Sequence, residues 1–239
     1  MAKRLIAELI IKGALCETPE EDTIKEDVNP PNEGAVFTAF NPEADGMAIT
    51  EQGDVQIAFG NQCLNDDSTT APGWTAGDYM ATYSGKLVPT EPLDDFWTIT
   101  GDLEISTSEW GYQSAFATEN KLYFGIGDPA TNFIGLKLKW TLGRGAGSLY
   151  IYIVSVFDGS ENATLLRQID TGEEAVTATG TFTLHRIDET TYQAELEIWG
   201  GGTDSRNGTF TNPDITVYSE DSYNNYLCGQ VVWKNLNRS

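Results

Sequence analysis

Between Lys121 and Gly200, four segments alternate apolar and polar residues almost without interruption. Ile134-Gly-Leu136-Lys-Leu138-Lys-Trp140 sets its large apolar side chains on one side and Lys137 and Lys139 on the other. Tyr192, Ala194, Leu196 and Ile198 alternate with Gln193, Glu195 and Glu197, and Phe182 and Leu184 alternate with Thr183 and His185. Leu149–Phe157 is a longer and more apolar run. Successive side chains of a strand point to opposite faces, so a period of two marks sheets with one face buried and one wet. The expected fold class is all-β.

A chain of 239 residues can bury a substantial core. Frequent glycine and 11% aromatic residues suit many strands joined by tight turns. The formal charge of −22 would repel nucleic acid and anionic membrane, so neither is expected as a partner. No stretch approaches the ~20 apolar residues of a membrane span. Cys16, Cys63 and Cys228 are too few for a disulfide framework and read as small buried hydrophobes. With His185 the only histidine, a zinc centre is not expected.

Residues 1–16 form an apolar arm with Leu5, Ile6, Leu9, Ile10 and Ile11, whose period fits a helix or a strand equally well. Residues 17–34 are acidic and broken by proline, as a linker would be. The body, 35–239, opens with strands at 35–40, 47–50 and 55–59, the last two joined by a turn over Glu51–Asp54. A polar loop follows at 60–78, then strands at 79–83, 96–99, 102–106 and 122–126. Asp158-Gly159 ends the Leu149–Phe157 strand, after which the acidic segment reads as irregular. A hairpin turns over Asp188–Thr190, Gly200-Gly-Gly202 breaks the chain, and strands at 215–218 and 227–233 complete it. About twelve strands with almost no helix predict a two-sheet antiparallel jelly-roll sandwich.

Phe40-Asn-Pro42 with the following hairpin, and Ser84-Gly85-Lys86, resemble the opening of SPRY-like sandwiches. Phe124-Gly-Ile126-Gly127, Phe157-Asp158-Gly159 and the 181–199 hairpin resemble concanavalin A-like lectin and glucanase jelly rolls. The resemblance spans roughly residues 35–234 and implies that fold. Glucanases of that superfamily carry Glu-x-Asp-x-x-Glu on one strand, because retaining chemistry sets two carboxyls about 5–5.5 Å apart. Glu195-Leu-Glu197 and Asp102-Leu-Glu104 each lack part of that set, so no enzymatic activity is expected. Gly125-Ile-Gly127 and Gly143–Gly147 lack the helix and lysine of a phosphate loop and read as turns. His185, with no acid-base partner evident from spacing, reads as a surface residue.

The candidate binding residues are the aromatics outside the strand periods, Trp74, Trp110, Tyr112, Tyr223 and Tyr226, which could stack on a sugar or anchor a partner. Asp66 and Asp67 are candidate calcium ligands, although no EF-hand spacing surrounds them. No other cofactor is expected. Together these features predict a structural or display protein on a virus-particle surface, as a capsid decoration, head-fibre or tail component. It would be fastened through Leu5, Ile6, Leu9 and Ile11 to other virion proteins or copies of itself. The alternative is a free, secreted carbohydrate-binding module or lectin.

Overall fold

The computed structural model describes residues 34–42, 47–59, 82–93, 96–107, 119–143, 146–170, 176–220 and 229–239. Fourteen strands are described: β1 (Phe37–Asn41), β2 (Met47–Ile49), β3 (Val55–Phe59), β4 (Thr82–Pro89), β5 (Trp97–Thr107), β6 (Glu119–Asp128) and β7 (Asn132–Gly143). β8 (Ala146–Phe157), β9 (Ser160–Asp170), β10 (Thr177–Arg186), β11 (Thr191–Ile198), β12 (Thr203–Thr209), β13 (Ile215–Glu220) and β14 (Gly229–Arg238) follow. The first sheet runs β1-β4-β13-β6-β7-β8-β9 and the second β12-β11-β10-β5-β14-β3-β2, with antiparallel pairing throughout. This is the two-sheet antiparallel sandwich that the alternation predicts.

The inner faces meet as that period requires. Ile134, Leu136 and Leu138 of β7 and Phe182, Leu184, Ala194, Leu196 and Ile198 of β10 and β11 are all buried in one cluster. Covering each large aliphatic side chain contributes roughly 1.5–3 kcal/mol. Aromatic rings lock the two sheets together at their centre: Phe124 lies 5.3 Å from Phe182 and 5.5 Å from Trp233, centroid to centroid. Trp233 Nε1 donates to the Phe182 carbonyl at 3.0 Å, so the indole is buried without leaving its polar atom unpaired.

Several local expectations need correction. Ser84-Gly85-Lys86 lies within β4, not after a strand, and Gly85 leaves room there for the Met47 side chain. The strands expected at 96–99 and 102–106 are one, β5, continuous through Gly101 with every second residue buried. The segment after Asp158-Gly159 is β9, not irregular chain. Asp158 (φ 48°) and Gly159 (φ 73°) make a two-residue turn that pairs Phe157 with Ser160. β9 lacks a readable period because it is an edge strand with Leu166 alone buried, and a bulge opposite Ile151/Tyr152 shifts its phase. Gly200-Gly-Gly202 is a turn into β12, whose polar TDSRNGT sequence suits the edge of the second sheet.

Candidate functional site

The outward positions of the first sheet form aligned rows, because antiparallel register places facing residues side by side. One row crosses five strands: Ser84, Tyr218, Tyr123, Lys137 and Tyr152 are successive register partners. The next row runs Glu220, Lys121, Lys139 and Tyr150. Tyr123, Phe133, Val154 and Val156 form a second, outer cluster against which Tyr152 and Tyr218 pack. The Tyr123 ring meets Phe133 edge-on at 5.6 Å and lies 6.4 Å from Tyr218, while Tyr150 and Tyr152 stack at 6.3 Å. Lys137 Nζ stands 5.3 Å from the centre of the Tyr123 ring and 6.0 Å from that of Tyr152, within cation–π reach of both.

Charge on this face is matched locally. Lys137 Nζ donates to both carboxylate oxygens of Glu161, at 2.6 and 2.9 Å, and Tyr123 OH donates to Glu161 Oε2 at 2.7 Å. Burial first, then the bond to Glu161, hold the Tyr123 phenol far above its ordinary pKa, so it serves as a donor and not as a base. Burial opposes ionisation of Glu161, but the bonds from Lys137 and Tyr123 outweigh it and keep the carboxyl below its usual range. Lys121 pairs with Glu220 at 3.1 Å and Lys86 with Asp214 at 2.5 Å.

Below the tyrosine row, two neighbouring positions at the centre of the sheet carry no side chain. Gly125 and Gly135 are register partners at its middle. A Cβ at Gly135 (φ 156°) would lie 2.4 Å from the Phe124 carbonyl oxygen and 2.8 Å from Gly125 Cα. Two glycines therefore let β6 and β7 approach closely, and the Phe133 ring lies against Gly135, 3.0 Å from where its Cβ would be. The partly exposed rings of Tyr150, Tyr152 and Tyr218, with donors and acceptors between them, can receive a flat, hydroxyl-rich ligand.

The outer face of the second sheet is built differently. Thr98 Oγ1 meets His185 Nδ1 at 3.0 Å, and Thr100 and Thr183 share a hydrogen bond at 2.8 Å. Glu195 lies 3.7 Å from His185 Nε2, Lys234 Nζ donates to Glu104 at 2.7 Å, and Asn235 Nδ2 to Asp102 at 2.7 Å. His185 thus has partners that its spacing in the sequence did not reveal. The acids of Asp102-Leu-Glu104 and Glu195-Leu-Glu197 stand at alternate, outward positions, as expected of amphipathic strands.

No binding residue expected from the sequence is among the described residues. Trp74, Trp110, Tyr112, Tyr223 and Tyr226 lie outside the described residues, as do Asp66, Asp67, the three cysteines, and the arm with Leu5, Ile6, Leu9 and Ile11. The tyrosine face is not among the expected sites, because those rest on aromatics outside the strand periods. The available signal was tyrosine in the polar phase of an alternating strand, as in Leu149-Tyr150-Ile151-Tyr152-Ile153.

No protein-family profile matches the sequence. A search of curated proteins finds no match either. Solved structures that resemble the chain include lectin I-B4 from Griffonia simplicifolia in its metal-free form, with 12% identity, TM-score 0.38, and coverage of 90% of this chain and 95% of the lectin. Another is the alginate lyase from Klebsiella pneumoniae, with 8% identity, TM-score 0.38 and coverage of 82% and 85%. A third is the binding domain of botulinum neurotoxin DC, of which this chain covers 40%, with 80% of its own length aligned at 10% identity and TM-score 0.32. These likenesses concern the sandwich alone. The expectation of a chain without enzymatic activity is corrected: alginate lyases recur among the matched structures, so the incomplete carboxylate spacing does not exclude an enzyme.

Proposed function

We propose that the chain binds a saccharide across the outer face of its first sheet. The observation that carries this reading is the row Tyr218–Tyr123–Lys137–Tyr152, continued by Lys139 and Tyr150 in the next. A pyranose ring has apolar C–H faces and a rim of hydroxyls. Tyrosine rings supply surfaces for the former, and Lys137, Lys139 and Glu161 supply donors and acceptors for the latter. Tyr150, Tyr152 and Tyr218 leave aromatic surface in contact with water on one sheet face, over a buried layer of Tyr123, Phe133, Val154 and Val156.

Binding to a printed glycan array, compared between the wild type and the Tyr152→Ala and Tyr218→Ala variants, tests this. Each variant should bind its best glycan roughly tenfold more weakly, the loss of one stacking surface, while remaining folded with a melting temperature only a few degrees lower. Binding that survives both substitutions would move the site away from this face.

Attachment of the sandwich to a virus particle, with other virion proteins or further copies of the chain as partners, rests on the sequence of residues 1–34 alone and is compatible with saccharide binding. Deleting residues 1–16 should then abolish co-sedimentation with the particle while leaving glycan binding intact.

A further inference from the structure

Four of the five described lysines, Lys86, Lys121, Lys137 and Lys139, stand on the outer face of the first sheet. A cluster of lysines in a chain of net charge −22 suggests a receptor for an acidic ligand. The geometry points the other way. Asp214, Glu220 and Glu161 lie 2.5, 3.1 and 2.6 Å from Lys86, Lys121 and Lys137, so these three cations are already matched by carboxylates. Lys137 matters most, because it sits in the middle of the tyrosine row with only 15% of its side chain exposed. Both oxygens of Glu161 receive its ammonium, and one also receives Tyr123 OH.

Resting on the reading of this face as a saccharide site, we propose that its ligand is an uncharged saccharide and that Glu161 is the residue that turns acidic sugars away. A uronate or sialate carboxylate brought to Lys137 meets a carboxylate that already holds both donors. It would have to displace Glu161 into solvent or stand beside it, like charge against like charge. A sugar hydroxyl faces no such conflict. It donates to Glu161 while accepting from Lys137, and so joins the network without changing its charge. Glu161 reaches this position from the second residue of β9, the edge strand. The gatekeeping group is thus carried by the sheet margin and aimed inward over the row.

The test measures wild type and Glu161→Gln on an array of uncharged, uronate-containing, sialylated and sulfated glycans, followed by affinity electrophoresis in galactomannan and in polygalacturonate. Wild type should bind uncharged glycans only, with little change between low and moderate salt. Glu161→Gln keeps the shape of the side chain but frees the Lys137 charge, and should raise the ratio of acidic to uncharged binding at least tenfold. Wild-type binding to acidic glycans as strong as to uncharged ones overturns the inference and leaves saccharide binding intact. An unmoved ratio in a Glu161→Gln protein that is folded at the assay temperature removes Glu161 as the determinant. Binding to no glycan of either class overturns the saccharide reading and this inference with it.

Discussion

The two outer faces of the sandwich share a backbone design and differ in almost everything displayed on it. Among the described residues both sheets have seven strands and bury alternate residues in the same core. Outward from the first sheet stand Tyr123, Tyr150, Tyr152 and Tyr218 among lysines matched by carboxylates. Outward from the second stand threonines bonded across strands, His185, and the acids Asp102, Glu104, Glu195 and Glu197. Threonine pairs and exposed acids suit a solvated strand surface and keep a sheet soluble. Partly exposed tyrosines beside ion pairs leave apolar surface wet and hold charges in fixed places, neither of which folding requires. The inner faces thus answer to stability, and the contrast between the outer faces locates function.

The comparison presumes one core beneath both faces, and its most severe test strikes there. Leu196 is fully buried on β11 between outward Glu195 and Glu197. Leu196→Asp places an unpaired carboxylate among apolar side chains, and the variant should not fold at all. Far-UV circular dichroism and glycan binding should be lost together. A folded Leu196→Asp protein would overturn the register on which both faces are drawn.

Less severe is a change at the glycine pair below the tyrosine row. Gly135→Val would force β7 away from β6, because even a Cβ lies 2.4 Å from the Phe124 carbonyl oxygen. A loss of about 2–4 kcal/mol is expected, measured by urea unfolding. Glycan affinity at a temperature where the variant is folded should fall as well, since the displaced strands carry Tyr123 and Lys137. Loss of stability without loss of affinity would detach the glycine pair from the site.

How much of this was legible in the sequence follows the same division. The core was readable because a buried face repeats every two residues: Ile134, Leu136 and Leu138 announce their side of β7 without any structure. β9 and β12 were not, because an edge strand with one or no large buried side chain has no period to read. Asp158-Gly159, read from the sequence only as the end of a strand, is the two-residue turn that leads into β9. The tyrosine row escaped for another reason. Alternation shows that Tyr123, Tyr152 and Tyr218 face outward, but bringing them side by side requires the order β13-β6-β7-β8, set by pairing between strands distant in the chain. Glu161 was more remote still, since its partners Tyr123 and Lys137 lie on two other strands.

A smaller effect separates the faces by their response to acid. The Glu161 carboxyl titrates below its ordinary range in the folded chain, through its bonds to Lys137 and Tyr123. A depressed folded pKa stabilises the protein above the unfolded value, about 4.3, and that contribution disappears as pH falls through the folded value. Wild type should therefore exceed Glu161→Gln in melting temperature at neutral pH, and the gap should narrow as pH falls from the unfolded value through the lower folded one, where Glu161 also becomes neutral. A gap that stays constant down to pH 3 would show that Glu161 acts there by shape alone.

The smallest expected effect lies on the second sheet, at Glu195. Its carboxylate is 3.7 Å from His185 Nε2, with half its side chain exposed, so the contact is long and solvent-screened. Removing it also relieves repulsion from Glu197, two residues along the same face of β11, in a chain of charge −22. These opposed contributions should hold the change for Glu195→Ala within about 0.5 kcal/mol, read as a denaturation midpoint nearly that of wild type. Glycan binding should also stay at the wild-type level, because the substitution lies on the opposite side of the sandwich from Tyr152. A neutral result is informative only beside Tyr152→Ala, whose side chain is likewise outward and partly exposed. If Glu195→Ala were to impair binding as much as Tyr152→Ala, the ligand would have to reach the threonine face, and the assignment of function to the first sheet alone would fall.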